Sequence, residues 1–218
     1  MKFNKVCFAL LMLLAIASQS CTDMNDLTDK YLDEGEIVYA AKVDSVGVRA
    51  GENRIQLDIY VKAQRVENLR VYWNNYEDSV DVEIGGKTGV FPVILDDMPE
   101  SGYLFQLVSF DKFGNRSLEF EATGSSYGEN YKNGLSNRSY TTEFTRYDME
   151  GDSMVIYWGG TVRGAIGMEL QYTDISDKTV RMEVPADAST TTLYKLKGNV
   201  SYNLRFLPEE NAIDTFTT

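Results

Sequence analysis

The chain has 218 residues, with 33 acidic and 21 basic side chains, a net charge of −12 and no histidine. A surface this acidic repels polyanions, so we expect no nucleic acid partner and disfavour anionic glycans, which leaves neutral glycans and proteins. The lack of histidine excludes His-based catalytic triads, His-ligated zinc and imidazole acid–base catalysis.

The N-terminal segment has the layout of a secretory signal. Lys2 and Lys5 precede an apolar run of 12 residues, Val6 to Ala17, and small residues then lead to Cys21. The run is too short to cross a bilayer, which needs about 20 residues. A cysteine at this place predicts a lipoprotein signal peptide over 1–20 with lipid on Cys21. Ordinary secretion with an unmodified cysteine is the alternative.

Residues 21–36 are acidic and lack any alternating pattern, which predicts a solvated tether. Cys7 would leave with the signal and Cys21 would carry lipid. The folded part would then contain no cysteine, so its stability must come from buried apolar area rather than from disulfides.

From Ile37 onward, apolar residues alternate with polar ones, and turn residues separate the runs. Several short strands without a ten-residue helical pattern predict an all-β fold of the sandwich type. The predicted strands of the first half lie around residues 55–61, 69–73, 80–84, 91–95, 103–107 and 118–122.

The second half repeats the apolar pattern of the first. Ile59 recurs as Trp158, 99 residues later, and the Tyr103 to Leu107 run recurs as Tyr202 to Phe206 at the same offset. A near-constant offset predicts two copies of one unit. We place the first sandwich at 37–124, a linker at 125–138 and the second sandwich at 139–218.

The spacing resembles that of fibronectin type III domains. Trp158 lies where that family keeps its core tryptophan, and Tyr103 and Tyr202 lie where its corner tyrosine would be. The first copy departs from the pattern by carrying Ile59 at the tryptophan position. The resemblance implies two tandem fibronectin type III-like β-sandwiches, which belong to the immunoglobulin-like class.

Longer stretches of the first half resemble an uncharacterised lipoprotein family that carries a domain-of-unknown-function label. The matching stretches include Tyr31–Tyr39, Asp111–Ser117 and Tyr127–Arg138. Proteins of this family occur in Gram-negative gut anaerobes that live on polysaccharides. The resemblance implies an outer-membrane lipoprotein, displayed on the cell surface and involved in glycan capture, and it carries over no catalytic residue.

Short motifs match fragments of enzyme signatures without their context. Gly124–Gly128 fits G-x-S-x-G, but no histidine exists and no helix is predicted to follow. Ser109 and Lys112 have S-x-x-K spacing where a strand enters a turn. Acidic pairs such as Asp96–Asp97 fall in loops, without the facing carboxyl group that glycosidases need. We therefore expect no enzyme activity, no cofactor and no metal site, with calcium at an acidic loop as the open alternative.

Exposed tyrosines are the candidate ligand contacts, because sugar rings stack on aromatic faces. Trp73 and Trp158 occupy inward positions, where we expect core packing instead. The candidate contacts are Tyr60, Tyr72 and Tyr157 at outward strand positions and Tyr76, Tyr127 and Tyr131 in loops or linker.

Two functions follow from these features. The first is a non-catalytic, lipid-anchored surface module that captures neutral glycan or assists a polysaccharide-uptake complex. The second is a spacer or scaffold for protein–protein contacts in the outer membrane. Tyr127 and Tyr131 would either fix the angle between the sandwiches or leave the joint free to swing.

Overall fold

The computed structural model describes residues 38–145 and 152–218. The predicted signal peptide, the lipidation of Cys21 and the tether over 21–36 lie outside the described residues. In the part that is described, no helix has the length and apolarity that crossing a bilayer would require.

The first half forms two antiparallel sheets that face each other. One sheet has the order β1-β2-β5 and the other the order β4-β3-β6-β7. Their strands are β1 (Ser45–Ala50), β2 (Ile55–Val61), β3 (Val66–Trp73), β4 (Asp78–Glu83), β5 (Gly89–Leu95), β6 (Ser101–Asp111) and β7 (Phe120–Ser126).

Alternation along the strands creates the core between these sheets. In β2, Ile55, Leu57, Ile59 and Val61 have no exposed surface, and the residues between them are half-buried. They pack against inward residues of the opposite sheet such as Phe105. Each fully buried side chain of this size stabilises the fold by roughly 1.5–3 kcal/mol.

The second half repeats this arrangement. The β8–β9 pair corresponds to the β1–β2 pair of the first half. The β11–β10 pair corresponds to the β4–β3 pair. The strands are β8 (Tyr140–Thr145), β9 (Asp152–Trp158), β10 (Ala165–Asp174), β11 (Thr179–Val184), β12 (Thr190–Phe206) and β13 (Phe216–Thr217). The predicted all-β architecture of two fibronectin type III-like sandwiches is confirmed.

A continuous strand replaces two separate ones in the second copy. The beginning of β12 pairs with β9, and its end pairs with β10, so β12 occupies the positions of both β5 and β6 of the first half. It bends at Lys195, which has a φ of 55°, where the register shifts. Asp97 has a φ of 54° at the corresponding place in the first copy. The two copies therefore share the bend and differ in whether the residues around it stay paired.

The two corner tyrosines behave differently. Tyr103 donates a hydrogen bond to the carbonyl of Pro99, four residues earlier, at 2.7 Å. Tyr202 instead donates to the carbonyl of Arg138. The chain before Tyr202 stays in β12 and does not turn, so it presents no carbonyl at the equivalent position. The sequence resemblance therefore describes the corner of the first copy only.

The residues assigned to a linker are partly ordered structure. β7 continues through Ser126, and a short helix, α1, spans Glu129–Asn133. Ser126, the serine of the G-x-S-x-G match, is buried and donates to the carbonyl of Met98 at 2.8 Å. A buried hydroxyl engaged with the backbone has a structural role here.

Candidate functional site

Tyr127 and Tyr131 lie in the contact between the two sandwiches. Their ring centroids are 4.9 Å apart, and the Tyr131 ring is 4.9 Å from that of Phe216, which is buried in the second core. The Tyr127 hydroxyl donates to Glu209 at 2.9 Å. Burial, together with this hydrogen bond, raises the pKa of Tyr127 to about 12. Both rings therefore join the halves of the molecule.

Polar contacts hold the same joint. The loop between β12 and β13 lies against the turn between β1 and β2, where Arg54 forms a bidentate pair with Asp214 at 2.5 and 2.8 Å. The amide of Ile213 donates to the carbonyl of Ala50 at 2.7 Å. A Cβ on Gly51 would stand 2.7 Å from Asp214 Oδ2. Only glycine at position 51 lets the loop approach this closely.

The start of α1 is fixed to the first sandwich. The amides of Asn130 and Tyr131 donate to the two carboxylate oxygens of Glu100 at 2.7 and 2.9 Å. Lys132 pairs with Glu52 from the other side. A carboxylate at the first turn satisfies amides that have no partner inside the helix.

The other four candidate tyrosines face outward on the sheets or their loops. Tyr60 lies under the Lys62 ammonium, 5.5 Å from the ring centroid, and Tyr157 donates to Glu143 at 2.9 Å. The structure brings Tyr72 and Tyr76 together, with ring centroids 5.2 Å apart.

A cleft of about 310 Å³ opens on the second sandwich, away from all six predicted tyrosines. Three aromatic rings cluster along it. The Tyr140 centroid is 5.9 Å from Trp158 and 5.4 Å from Tyr202, and Trp158 and Tyr202 are 5.1 Å apart. The lining residues are Tyr140, Thr142, Met154, Ile156, Trp158, Leu196, Gly198, Asn199, Val200 and Tyr202.

Strand pairing explains why this cleft opens in the second sandwich, while the equivalent place in the first is closed. In the first sandwich β7 pairs with β6 from Ser101 to Leu107. It also lies so close to β1 that a Cβ on Gly124 would overlap Val48. Among the described residues of the second sandwich, β13 pairs with β12 only at Arg205 and Phe206. The space between β8 and β12 is therefore left open.

The cleft is aromatic and uncharged. Tyr140 is 51% exposed, whereas Trp158 is 7% exposed and forms the floor. The Trp158 indole N–H donates to Thr191 at 2.8 Å, which fixes the ring. Burial raises the pKa of Tyr202, so its hydroxyl remains neutral. None of the lining residues carries a charge at neutral pH, in a protein whose net charge is −12.

Sequence reasoning did not select Tyr140 or Tyr202 as ligand contacts. The spacing predicts a corner role for Tyr202 and core packing for Trp158, and Trp158 does lie in the core. Tyr140 begins β8 opposite Trp158, and this pairing is the signal that was available. The pairing of Tyr140 with Trp158 indicates a ligand contact only when the cleft beside these two residues is known from the structure.

The enzyme-like motifs do not assemble a reactive site. Ser109 is fully buried and donates to the carbonyl of Ala41, whereas Lys112 lies over the Phe113 ring. Within residues 38–145 and 152–218, no group of three His, Cys, Asp or Glu residues is placed to hold a metal ion.

A family model described as DUF4998, a domain of unknown function, matches residues 21–216. The chain belongs to the DUF4998 family. The two halves of the DUF4998 chain share one strand order: β1-β2-β5 and β4-β3-β6 in the first half correspond to β8-β9-β12 and β11-β10-β12 in the second, where β12 joins them into one sheet. No curated protein matches the sequence.

Solved structures similar to the DUF4998 chain include two chicken domain segments and a bacterial chitinase. The two-domain fibronectin type III segment of chicken tenascin is 15% identical, covers 82% of this chain and 98% of its own, and has a TM-score of 0.33. The chicken CNTN1 FN1-FN3 domains are 14% identical over 77% of this chain and 58% of theirs, with a TM-score of 0.40. The chitinase ChiA74 from Bacillus thuringiensis is 12% identical over 81% of this chain and 28% of its own, with a TM-score of 0.34.

Proposed function

We propose that this protein is a non-catalytic binding module that captures neutral glycan at the cell surface and assists a polysaccharide-uptake complex. Lipid on Cys21 would anchor it to the outer membrane. The signal layout and the resemblance to lipoproteins of polysaccharide-degrading anaerobes support the location. The uncharged aromatic cleft of the second sandwich is the observation that carries the binding role.

The chemistry of the cleft suits a sugar ring. The half-exposed Tyr140 ring offers a face to the apolar C–H side of a pyranose, and the deeper Trp158 and Tyr202 rings close the other side. Thr142 and Asn199 offer polar side chains for sugar hydroxyl groups. The volume lies at the lower end of the range for ligand pockets, about 300–1,000 Å³, which fits a short segment of a glycan chain.

Binding by the purified mature chain to a panel of neutral polysaccharides tests this role. We expect Tyr140→Ala to weaken binding about tenfold, because one stacking contact is lost while the core stays intact. Tyr157→Ala is the matched control, since Tyr157 is 43% exposed on the opposite face of the adjacent strand. If the unaltered protein binds none of the polysaccharides in the panel, the proposal is overturned.

The alternative role as a spacer or scaffold rests on the joint. Arg54, Asp214, Tyr127 and Phe216 hold the two sandwiches together through ion pairing and ring packing. Fixed geometry of this kind suits a protein that holds its partners at a distance. Crosslinking and pull-down from membranes separate the two roles, because a scaffold would bring down an envelope protein without any sugar.

A further inference from the structure

The outer face of the first sandwich carries an aromatic bridge. Tyr76 lies in the loop between β3 and β4, and its hydroxyl donates to Glu119 at 2.9 Å, directly before β7. The sheet order is β4-β3-β6-β7, so this hydrogen bond joins residues on the two sides of β6. The Tyr72 ring on β3 supports it at 5.2 Å.

The backbone of the loop is held in an uncommon conformation. Asn74, Asn75 and Tyr76 have consecutive φ values of 50°, 55° and 67°. Asparagine tolerates this left-handed region, but a tyrosine there is strained. Strain of this kind concentrates at ligand-binding positions. The fold therefore holds the Tyr76 ring over the sheet despite an unfavourable backbone.

An unpaired polar group lies on β6, the strand between Tyr76 and Glu119. Phe105 and Leu107 point into the core, so Gln106 between them faces outward. Gln106 pairs with Tyr72 on one side and Glu121 on the other, yet it is only 8% exposed. Its Oε1 is buried without a hydrogen-bond partner. A buried acceptor without a donor is unfavourable by roughly 1–3 kcal/mol.

We propose that Tyr72, Tyr76 and Gln106 form a second saccharide-binding surface, on the first sandwich and separate from the cleft. Binding exchanges the hydrogen bond between Tyr76 and Glu119 for contacts to the sugar. The released Tyr76 ring stacks on the sugar together with Tyr72, and a sugar hydroxyl donates to Gln106 Oε1. Arg70 is engaged in a bidentate pair with Asp81, and Arg116 pairs with Glu119. Because both cations are already paired and the carboxylates of Glu119 and Glu121 lie at the edge, the surface selects neutral sugars over anionic ones.

The inference rests on the proposed role in glycan capture and adds a second point of attachment for one chain. Two sites on one molecule raise the avidity for a polymer that repeats the same sugar, without any new contact.

The test is a titration of the mature chain, with its tyrosine rings labelled by 13C, against cellohexaose, mannohexaose and xylohexaose. We expect saturable shifts of the Tyr72 and Tyr76 resonances with the saccharide that binds. Tyr76→Ala should weaken this binding about tenfold through loss of stacking. Gln106→Leu should weaken it about fivefold through loss of one hydrogen bond. Tyr60→Ala, on the other sheet of the same sandwich, is the control.

Gln106→Leu also separates binding from folding. Replacing an unpaired buried amide with an apolar side chain leaves the urea midpoint unchanged or raises it. A variant that is as stable as the parent yet binds less saccharide identifies Gln106 as a ligand contact. Unchanged affinity in this variant and in Tyr76→Ala overturns the inference.

The resonances distinguish this inference from the proposed function. If Tyr140 shifts while Tyr72 and Tyr76 do not, the second surface is refuted and glycan capture stands. If Tyr72 and Tyr76 shift alone, the second surface stands and the cleft fails as a site. If no tyrosine shifts with any of the three saccharides, both are overturned.

Discussion

Arg138 connects the end of the linker to the second sandwich. Its side chain is 4% exposed, and its guanidinium donates to four backbone carbonyls, at distances of 2.5 to 3.1 Å. Its own carbonyl accepts the Tyr202 hydroxyl. Burying a charge is unfavourable by several kcal/mol unless it is fully hydrogen-bonded, and this network supplies those bonds. The acceptors belong to Gly159, Gly160, Ala186 and Ala188.

Arg138→Ala should therefore destabilise the second sandwich by about 3 kcal/mol, because the carbonyls lose their donors inside the protein. The measurement is urea denaturation followed by Trp158 fluorescence in a Trp73→Phe background. Arg163→Ala is the control, since Arg163 is exposed on the same sandwich. Equal urea midpoints for the two variants would contradict this account of Arg138.

At the scale of residues, the sequence predicted inward positions well and polar partners poorly. Alternation identifies Leu57 and Leu170 as core, because a period of two assigns every second side chain to one face. Nothing local marks Arg138 as buried, since its acceptors lie 21 to 50 residues further along the chain. Long-range hydrogen bonds of this kind depend on topology, which alternation does not encode.

At the scale of elements, the joint combines a turn, a loop and a short helix. Arg54 holds the pKa of Asp214 below its ordinary value of 3.8, although burial pushes it upward. An acid whose pKa is lowered on folding stabilises the folded state above its unfolded pKa. That contribution is lost as the pH falls through the lower, folded pKa.

We therefore expect the parent protein to lose stability below about pH 4 more steeply than Asp214→Asn. The pair is partly exposed, so the difference in urea midpoint should be on the order of 0.3 M. Urea titrations at intervals from pH 6 to pH 2 measure it. Asp187→Asn, at an exposed site on the second sandwich, serves as the control. Parallel acid profiles for the parent and Asp214→Asn would show that the ion pair does not stabilise the joint.

Each predicted strand of the first half overlaps one of β2 to β7, but only β2 has the predicted bounds. The largest differences are in β6 and β7, which span 101–111 and 120–126 where 103–107 and 118–122 were predicted. The prediction missed β1, whose sequence S-V-G-V-R-A offers only two valines as a signal. It also missed α1, which is shorter than any helical period can indicate. The continuity of β12 depends on pairing to β9 and β10 at once, so it follows from the tertiary structure alone.

At the scale of the whole molecule, the proposed anchor sets where the two sandwiches act. A diacylated or triacylated cysteine holds a protein on a membrane stably, whereas one chain binds only marginally. Cys21→Ala should move nearly all of the protein from the membrane fraction to the soluble fraction. Cell fractionation followed by immunoblotting measures this, with Cys7→Ala as the matched control. Retention of the Cys21→Ala protein on the membrane would contradict the anchor.

The sequence predicts the duplication because both copies bury the same positions at a constant spacing. The cleft was not readable, because it depends on how far β13 pairs along β12 and on the distance between β8 and β12. Two β units with the same inward pattern therefore differ in whether a cleft opens at this place. The difference arises at the edge strands, where pattern alone carries little information.

The shared strand β12 has a mechanical consequence. Its hydrogen bonds connect both layers of the second sandwich to one strand. In the first sandwich, two separate strands, β5 and β6, occupy these positions, one in each layer. Under a pulling force, the layers of the second sandwich cannot shear past each other without rupturing the pairing of β12 with β9 and with β10. This sandwich should resist tension as one block and then yield abruptly.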